Sequence, residues 1–568
     1  MENKSSSFDV DLVIVGGGPT GLLSAVLARA LGLSVYIIDL ISDAKNGALE
    51  VGRADALNAR TQQYLEVTKT LPFLEPFGLK CNTSSTFEGG QFTSQQNKWW
   101  TSLKHTHRPN FLMIGQSEVE EALLHQLDIP VDYNSHVNGI EETTSGVVVT
   151  TDKGKTITAK YAIAADGARS FVRTTLGIPF TGTKPEMVWA VLDTFIETDF
   201  PVCPEIITFQ KDGQSRVAWI PRERGMNRFY ILLDGEITQE KAEASVRDHM
   251  APHKVEFKKT EWFSIFEIKE RVASTFISKD GNGRILLAGD AAHVHAVNGG
   301  QGLNTGIADA FNLIWRIAFV AKGHGGSTLL KSYDEERRAT ASAVIDVAAK
   351  LVRTTVKTAL EYVEIIEKNA GYITGMGVSY SSNTPLVVDS NYGDFVAGNR
   401  CPDLWVTKLP VRSSQANAEE LSRMRLYELF GYGKFKVLFI GNEKPASFEQ
   451  AIELQQKAEI WHIHDQDHRL TTLTYEFSAE WVKSDEGAVV VVRPDLYIVV
   501  KSIETLPTLH PCRPHSARHP VSWQLCFATF STISDSSHDF ICDIPVRRYT
   551  SQSHLTSTVP SQCYRPRL

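Results

Sequence analysis

Several protein classes are excluded by what the 568-residue chain has little of. Its seven cysteines, Cys81, Cys203, Cys401, Cys512, Cys526, Cys542 and Cys563, are odd in number and contain no C-x-x-C pair. Neither a disulfide framework nor a thiol metal or redox motif is therefore expected, and a reducing, cytoplasmic location is. Long hydrophobic runs are also missing. The most apolar stretch, Leu22 to Leu40, is broken by Arg29, Ser34 and Asp39, whereas a membrane span takes about 20 apolar residues with few or no charges. The segment Met1 to Asp11 is polar and carries only Lys4, which does not match a secretory leader. No one sign of charge dominates: 66 acidic against 58 basic side chains give a net charge of −8. Without a basic field, nucleic acid is not an expected partner. What remains, 42% hydrophobic and 22% charged residues, describes an ordinary globular protein. Its length predicts two to four domains at roughly 150 residues each.

The clearest pattern lies near the start. Val10 to Val15 is a continuous apolar run suited to a strand buried on both faces. Gly16-Gly17-Gly18-Pro19-Thr20-Gly21 follows and opens a helical segment, Leu22 to Leu31, ended by Gly32. A second buried strand, Val35 to Ile38, closes on Asp39. Strand, glycine turn, helix, strand and acid are the order of a dinucleotide-binding unit. Gly16, Gly18 and Gly21 allow a tight turn and close approach of a pyrophosphate to free helix amides, and Asp39 stands where a carboxylate accepts ribose hydroxyls.

Two further acidic turns follow predicted buried strands. Tyr161 to Ala165 leads into Asp166-Gly167, with Ser170 and Arg173 after it, and Arg284 to Ala288 leads into Gly289-Asp290. Either turn alone reads as a helix N-cap. Short alternating segments, Val147 to Thr150, Thr156 to Thr158, Arg216 to Ile220 and Arg228 to Leu233, predict inserted sheet. Helices are predicted from Gly302 to Ala321 and through Ser332 to Asn369. A boundary is expected near Ser381 to Arg400, then a strand at Lys434 to Gly441, a helix at Phe448 to Ile460 and a strand at Ala488 to Val492. Leu506 to Leu568 shows no sustained period.

Taken together, Gly16 to Gly21, Asp166-Gly167 with Arg173, and Gly289-Asp290 resemble the three fingerprints of the class A flavoprotein monooxygenases, over roughly the first 350 residues. Within that family the chain looks like the phenol 2-monooxygenase group. The resemblance implies an α/β fold: a Rossmann-like FAD-binding domain (1–185 and 281–380) interwoven with a β-sheet substrate domain (186–280). A thioredoxin-like domain (395–505) and an unpatterned tail (506–568) would follow, the thioredoxin-like unit being marked by Gly398 to Pro402 and Val492 to Asp495. The resemblance further implies FAD as cofactor, NADPH and O2 as co-substrates, a small aromatic substrate, and a possible homodimer.

Residue by residue, Asp55, Arg222 and Tyr230 match the family's catalytic Asp, Arg and Tyr. Gly16, Gly18, Pro19, Thr20, Gly21, Asp39, Arg53, Gln116, Asp166, Arg173, Gly289, Asp290, Gly300, Gly302, Leu303 and Asn304 match its cofactor-binding positions. By itself Asp55 reads equally as a loop cap, and Tyr230 as a core aromatic. Where the family has Ser-Pro after its His-x-His, this chain has Ala296-Val297. No metal site is expected: His293 and His295 lie inside a flavin motif and lack a third ligand at a suitable spacing. The implied chemistry is oxygen transfer from a flavin C4a-hydroperoxide to a phenol. For that chemistry Asp55 and Tyr230 would form a proton relay, with Arg222 stabilising a phenolate or an ionised Asp55. The fingerprints do not separate this from Baeyer-Villiger insertion or from a non-catalytic flavoprotein.

Overall fold

The computed structural model describes residues 8–40, 53–98, 100, 102–185, 187–201, 205–212, 214–295, 300–354, 359–380, 391–409, 422–442, 457–465, 476–482 and 487–504. Its centre is a six-stranded sheet. Val10–Val15 lies between Val35–Ile38 and Thr156–Ala164, parallel to both, and Ile285–Leu287 joins the far end of Thr156–Ala164 in parallel. Leu12, Val13, Ile14, Ala162, Ile163 and Leu286 are wholly buried, as expected for strands covered on both faces. The segments read in the sequence as two strands, Thr156 to Thr158 and Tyr161 to Ala165, are one strand, Thr156–Ala164. Its outer half pairs antiparallel with Val147–Thr151, so only the inner half needs apolar side chains throughout.

A seven-stranded sheet runs in the order Val255–Glu267, Val188–Thr198, Asn227–Leu232, Gln214–Pro221, Ile206–Lys211, Thr83–Glu88, Gln91–Lys98. Two of its strands thus come from within the first 185 residues. Period-two alternation gives the sheet two different faces. Leu192, Phe229 and Ile231 pack under the helix Gln239–Met250 with Ala242, Val246 and Met250. Asp193, Arg228 and Tyr230 point the other way.

The C-terminal sheet is also seven-stranded. Phe435–Ile440, Ala458–His464 and Glu476–Ser478 run parallel in its middle. Most of the helix expected at Phe448 to Ile460 lies outside the described residues, but Ala458 to Ile460 are strand, held by pairing to Phe435–Val437. Phe435, Val437 and Phe439 bury against Trp315 and Phe319 of the helix Gln301–Ala321. The proposed tail 506–568 lies outside the described residues. Among them, no helix is long and apolar enough to cross a membrane.

A buried charge network fastens this sheet to the helices Gln301–Ala321 and Thr328–Thr354. Glu336 accepts from Arg316 Nη2 at 2.8 Å and from Arg493 at 2.5 and 2.8 Å, while Asp495 accepts from Asn312 Nδ2 at 2.9 Å. Truncating one partner of a buried ion pair strands the others, at a cost of about 3–5 kcal/mol. Glu336→Ala is therefore expected to lower stability by about that amount, measured as a fall in the urea midpoint. Burial opposes the charge on Glu336, but Arg493 and Arg316 outweigh it and hold its carboxyl below the ordinary value of 4.5. Asp309, likewise buried, is held at about 2 by His293 and Arg337. Depressed carboxyls stabilise the fold above their unfolded values and lose that contribution as pH falls through the folded ones. Stability is thus expected to decline as pH drops from about 4 towards about 2.

Candidate functional site

At the first glycine turn, Gly16 has φ +111°, and a Cβ there would sit 2.2 Å from the carbonyl oxygen of Ala165. Only glycine lets the first and second fingerprints' strands close up at this point. A Cβ on Gly21 would lie 1.9 Å from the Gly16 carbonyl oxygen, so the helix Pro19–Ala30 rests on the turn itself. Gly18, by contrast, would meet nothing within 4 Å. It is the N-cap of that helix, has no side-chain cap, and is followed by Pro19 at the first helical position. The cradle is therefore open just where unbonded helix amides point. Asp39 takes the Gly17 amide on Oδ2. Thr20 packs against Gly289 and Gly306, whose Cβ atoms would lie 2.7 and 2.4 Å from its hydroxyl.

The second turn is built like an N-cap. Asp166 Oδ2 accepts from the Val172 amide at 3.1 Å and Ser170 Oγ from the Arg173 amide at 2.9 Å. Asp166 Oδ1 is buried with no partner, and burial pushes its carboxyl up. Arg173 donates to the Ala291 and Ala168 carbonyls at 2.8 and 3.0 Å, tying this turn to the third. There Asp290 is exposed, following the buried Gly289 and preceding the buried Ala291. Asp309 organises this corner. It accepts from the Gly289 amide at 2.9 Å, His293 Nε2 at 2.7 Å and Arg337 Nε at 2.7 Å. Sequence reasoning missed Asp309, although an acid on the buried face of an apolar helix is a signal. His295 stacks on His293 at 5.7 Å, and burial pushes it down to about 3. Ala296 and Val297 lie outside the described residues.

Gly300, in the left-handed region at φ +61°, opens the helix Gln301–Ala321, whose first turn contains Gly302, Leu303 and Asn304. Asn304 fixes the loop of Asp55 to it: its Nδ2 donates to the Ala56 carbonyl and its Oδ1 accepts from the Asn58 amide, both at 2.9 Å. The other side of that loop is held by the Ile114 and Gln116 amides, which donate to the Asp55 and Ala54 carbonyls at 2.9 and 3.0 Å. The Gln116 side chain itself donates to Glu120 at 2.8 Å.

Asp55 and Tyr230 meet. Tyr230 Oη donates to Asp55 Oδ2 at 3.2 Å. The guanidinium beside them is that of Arg228, with Nη1 3.4 Å from Tyr230 Oη and 3.6 Å from Asp55 Oδ2. Arg228 also donates to the Arg53 carbonyl at 2.7 Å and is clamped by both oxygens of Asp193 at 2.6 Å. The expected contact of Arg222 with Asp55 gives way to different partners. Arg222 binds Glu223 at 2.9 and 2.6 Å and reaches Asp193 at 3.5 Å. Arg222 sits past the end of its strand, whereas Arg228 and Tyr230 alternate onto the inner face of theirs. Burial opposes the charge on Arg228, but Tyr230, Asp193 and Asp55 outweigh it and hold it protonated. Burial and Asp55 push the Tyr230 phenol well up, so it stays neutral. Beside Tyr230 lies an apolar cluster that includes Trp100, Phe111, Met113 and Ile220.

The residues fit FAD: an open amide cradle at Gly18, an acid at the second strand end, an unpartnered buried oxygen on Asp166, and a helix N-terminus at Gly300 converge around one sheet edge. The comparisons with known proteins agree. Residues 9–348 match the family described as FAD binding domain. An FAD-dependent monooxygenase of Aspergillus thermomutatus, ankC, is 25% identical over 577 residues, covering 88% of this chain and 96% of that protein. Phenol 2-monooxygenase fsqG of Aspergillus fumigatus is 27% identical over 490 residues, covering 79% of this chain and 78% of that protein. Among solved structures, aklavinone-11 hydroxylase in a ternary complex with FAD and aklavinone superposes with a TM-score of 0.72 at 20% identity, over 93% of this chain and 99% of that one, a likeness of fold. Because the family match spans more than half of the sequence, the chain belongs to the FAD binding domain family and is an FAD-dependent monooxygenase.

Proposed function

We propose that the chain hydroxylates a phenolic ring, using NADPH as reductant and O2 as oxidant. The observation that carries this reading is the chain of hydrogen bonds from Arg228 through Tyr230 to Asp55 beside an apolar cluster. Bound FAD supplies the redox chemistry, activating O2 for transfer of one oxygen atom. The protein must make the ring electron-rich, and withdrawing the proton of a phenol does so. Asp55 is the terminal acceptor for that proton, directly or through Tyr230. Arg228 Nη1 stands 3.6 Å from Asp55 Oδ2 while its own charge is shared with Asp193. Trp100, Phe111 and Ile220 keep water from the reacting ring.

Around the relay, Gly16, Gly18, Pro19, Thr20, Gly21 and Asp39 hold the adenosine and pyrophosphate. Arg53, Gln116, Asp166, Arg173, Gly289 and Asp290 surround the ribityl chain, and Gly300, Gly302, Leu303 and Asn304 face the ring with amides. Arg222 positions: through Glu223 it holds the Gly115 amide at 3.1 Å, at the start of the helix Gln116–Gln126.

The test is to supply the purified flavoprotein with NADPH and a panel of phenols and weigh the products. Phenol-stimulated NADPH oxidation and a product heavier by one oxygen atom are expected. A yellow protein whose NADPH oxidation ignores every phenol would overturn the substrate class. Tyr230→Phe breaks the chain at one hydrogen bond to a charged group, about 1.5–3 kcal/mol, so kcat is expected to fall roughly 10–150-fold with the flavin retained.

A further inference from the structure

The strand Ala458–His464 lies in the middle of the C-terminal sheet, whose strands carry none of the site residues assigned above. Alternation puts His462 and His464 on one face, and the parallel register sets His462 beside Glu476 of the neighbouring strand. The two imidazoles are 5.2 Å apart, centre to centre, and Glu476 Oε1 is 3.3 Å from His464 Nε2. One donor atom from each of the three residues falls within 4.8 Å of the others.

Each ring is oriented by a backbone carbonyl. His462 Nε2 bonds the Gly441 carbonyl at 2.9 Å, and His464 Nδ1 bonds that of Asp465 at 2.7 Å. A carbonyl only accepts, so these nitrogens carry the protons, and in the neutral rings the other two, His462 Nδ1 and His464 Nε2, present lone pairs. Both of those nitrogens are buried without a hydrogen-bond partner. Buried lone pairs without a donor cost free energy. One of them also faces a carboxylate oxygen, an arrangement of two acceptors that repels unless a cation or proton lies between them. Carbonyls bonded to the far ring nitrogen are the outer contacts that fix histidine ligands of a metal.

We propose that His462, His464 and Glu476 bind one divalent transition-metal ion, with zinc(II) the best match to two imidazoles and a carboxylate and a water completing the coordination. Protonating His464 alone satisfies the pair with Glu476 but leaves His462 Nδ1 without a partner. The bound ion ties Ala458–His464 to Glu476–Ser478. The sequence hid this site because Glu476 reaches the histidines only through strand register, and the absence of a metal expected from the histidines of the flavin motif did not touch these residues.

The experiment uses the full-length flavoprotein without an affinity tag, stripped with chelator and dialysed against zinc(II) at limiting free concentration. One zinc per chain by elemental analysis is expected. Glu476→Gln and His464→Gln are expected to weaken binding by at least about 100-fold while the flavin absorbance stays unchanged. Failure of the native protein to take up stoichiometric zinc overturns the proposal, as does binding that both variants retain. Should the variants not fold, zinc-edge X-ray absorption of the native protein decides. Imidazole and oxygen scattering at about 2.0–2.2 Å supports the site, and a sulfur shell or the lack of imidazole scattering refutes it. Because the readout is the metal and not turnover, this outcome is independent of the monooxygenase reading.

Discussion

Asp55→Asn is expected to slow aromatic hydroxylation by about 10²–10⁴-fold, the contribution typical of a positioned general base, while the protein stays yellow. The substitution keeps the size of the side chain and an oxygen for Tyr230, so the loop held by Asn304, Ile114 and Gln116 is not disturbed. What it removes is the only carboxylate bonded to the Tyr230 hydroxyl among the described residues. Product formation per flavin, with flavin content measured by absorbance in the same sample, separates loss of chemistry from loss of cofactor. Equal turnover in wild type and variant would remove the relay.

Two glycines a few residues apart are expected to behave in opposite ways. At Gly21 a Cβ meets the Gly16 carbonyl oxygen at 1.9 Å, so Gly21→Ala must push the helix Pro19–Ala30 off the turn. A colourless, destabilised protein is expected. At Gly18 the backbone is extended, with φ −73°, and a Cβ has nothing near it. Gly18→Ala is therefore expected to fold normally but to place a methyl against the pyrophosphate. Such overpacking costs about 1–3 kcal/mol, or roughly 5–150-fold in FAD affinity. Unfolding midpoints and flavin titration of the two variants check this. Unchanged FAD affinity in Gly18→Ala would move the cofactor away from this turn.

Much of this was legible in the sequence where one physical demand acts alone. Val10–Val15 and Val35–Ile38 show as strands because both of their faces are covered, and the glycine turn shows because only glycine allows its approach distances. Pairing across long separations was not legible. Asp193 carries no local mark, and it matters only because its strand sets it opposite Arg228. Arg228 itself was within reach: it shares a strand face with Tyr230, and alternation distinguishes it from Arg222, which lies beyond a strand end. The C-terminal strand Ala458–His464 was hidden in part because its partner Phe435–Ile440 supplies the reason for it to be extended. The buried ion cluster of Glu336, Arg493 and Asp495 gives Arg493-Pro494-Asp495 a purpose that spacing alone did not reveal: it ties the end of the C-terminal strand Gly487–Val492 to the helix Thr328–Thr354.

The central claim is that a phenol held beside Tyr230 gives up its proton to Asp55. Ultraviolet difference spectra of a phenol bound to the oxidised flavoprotein, taken across pH in wild type and Asp55→Asn, test it directly. The expected result is phenolate absorption in the wild type at pH values where the free phenol is still protonated, and its disappearance in the variant. Identical protonation of the bound phenol in both proteins would contradict the relay.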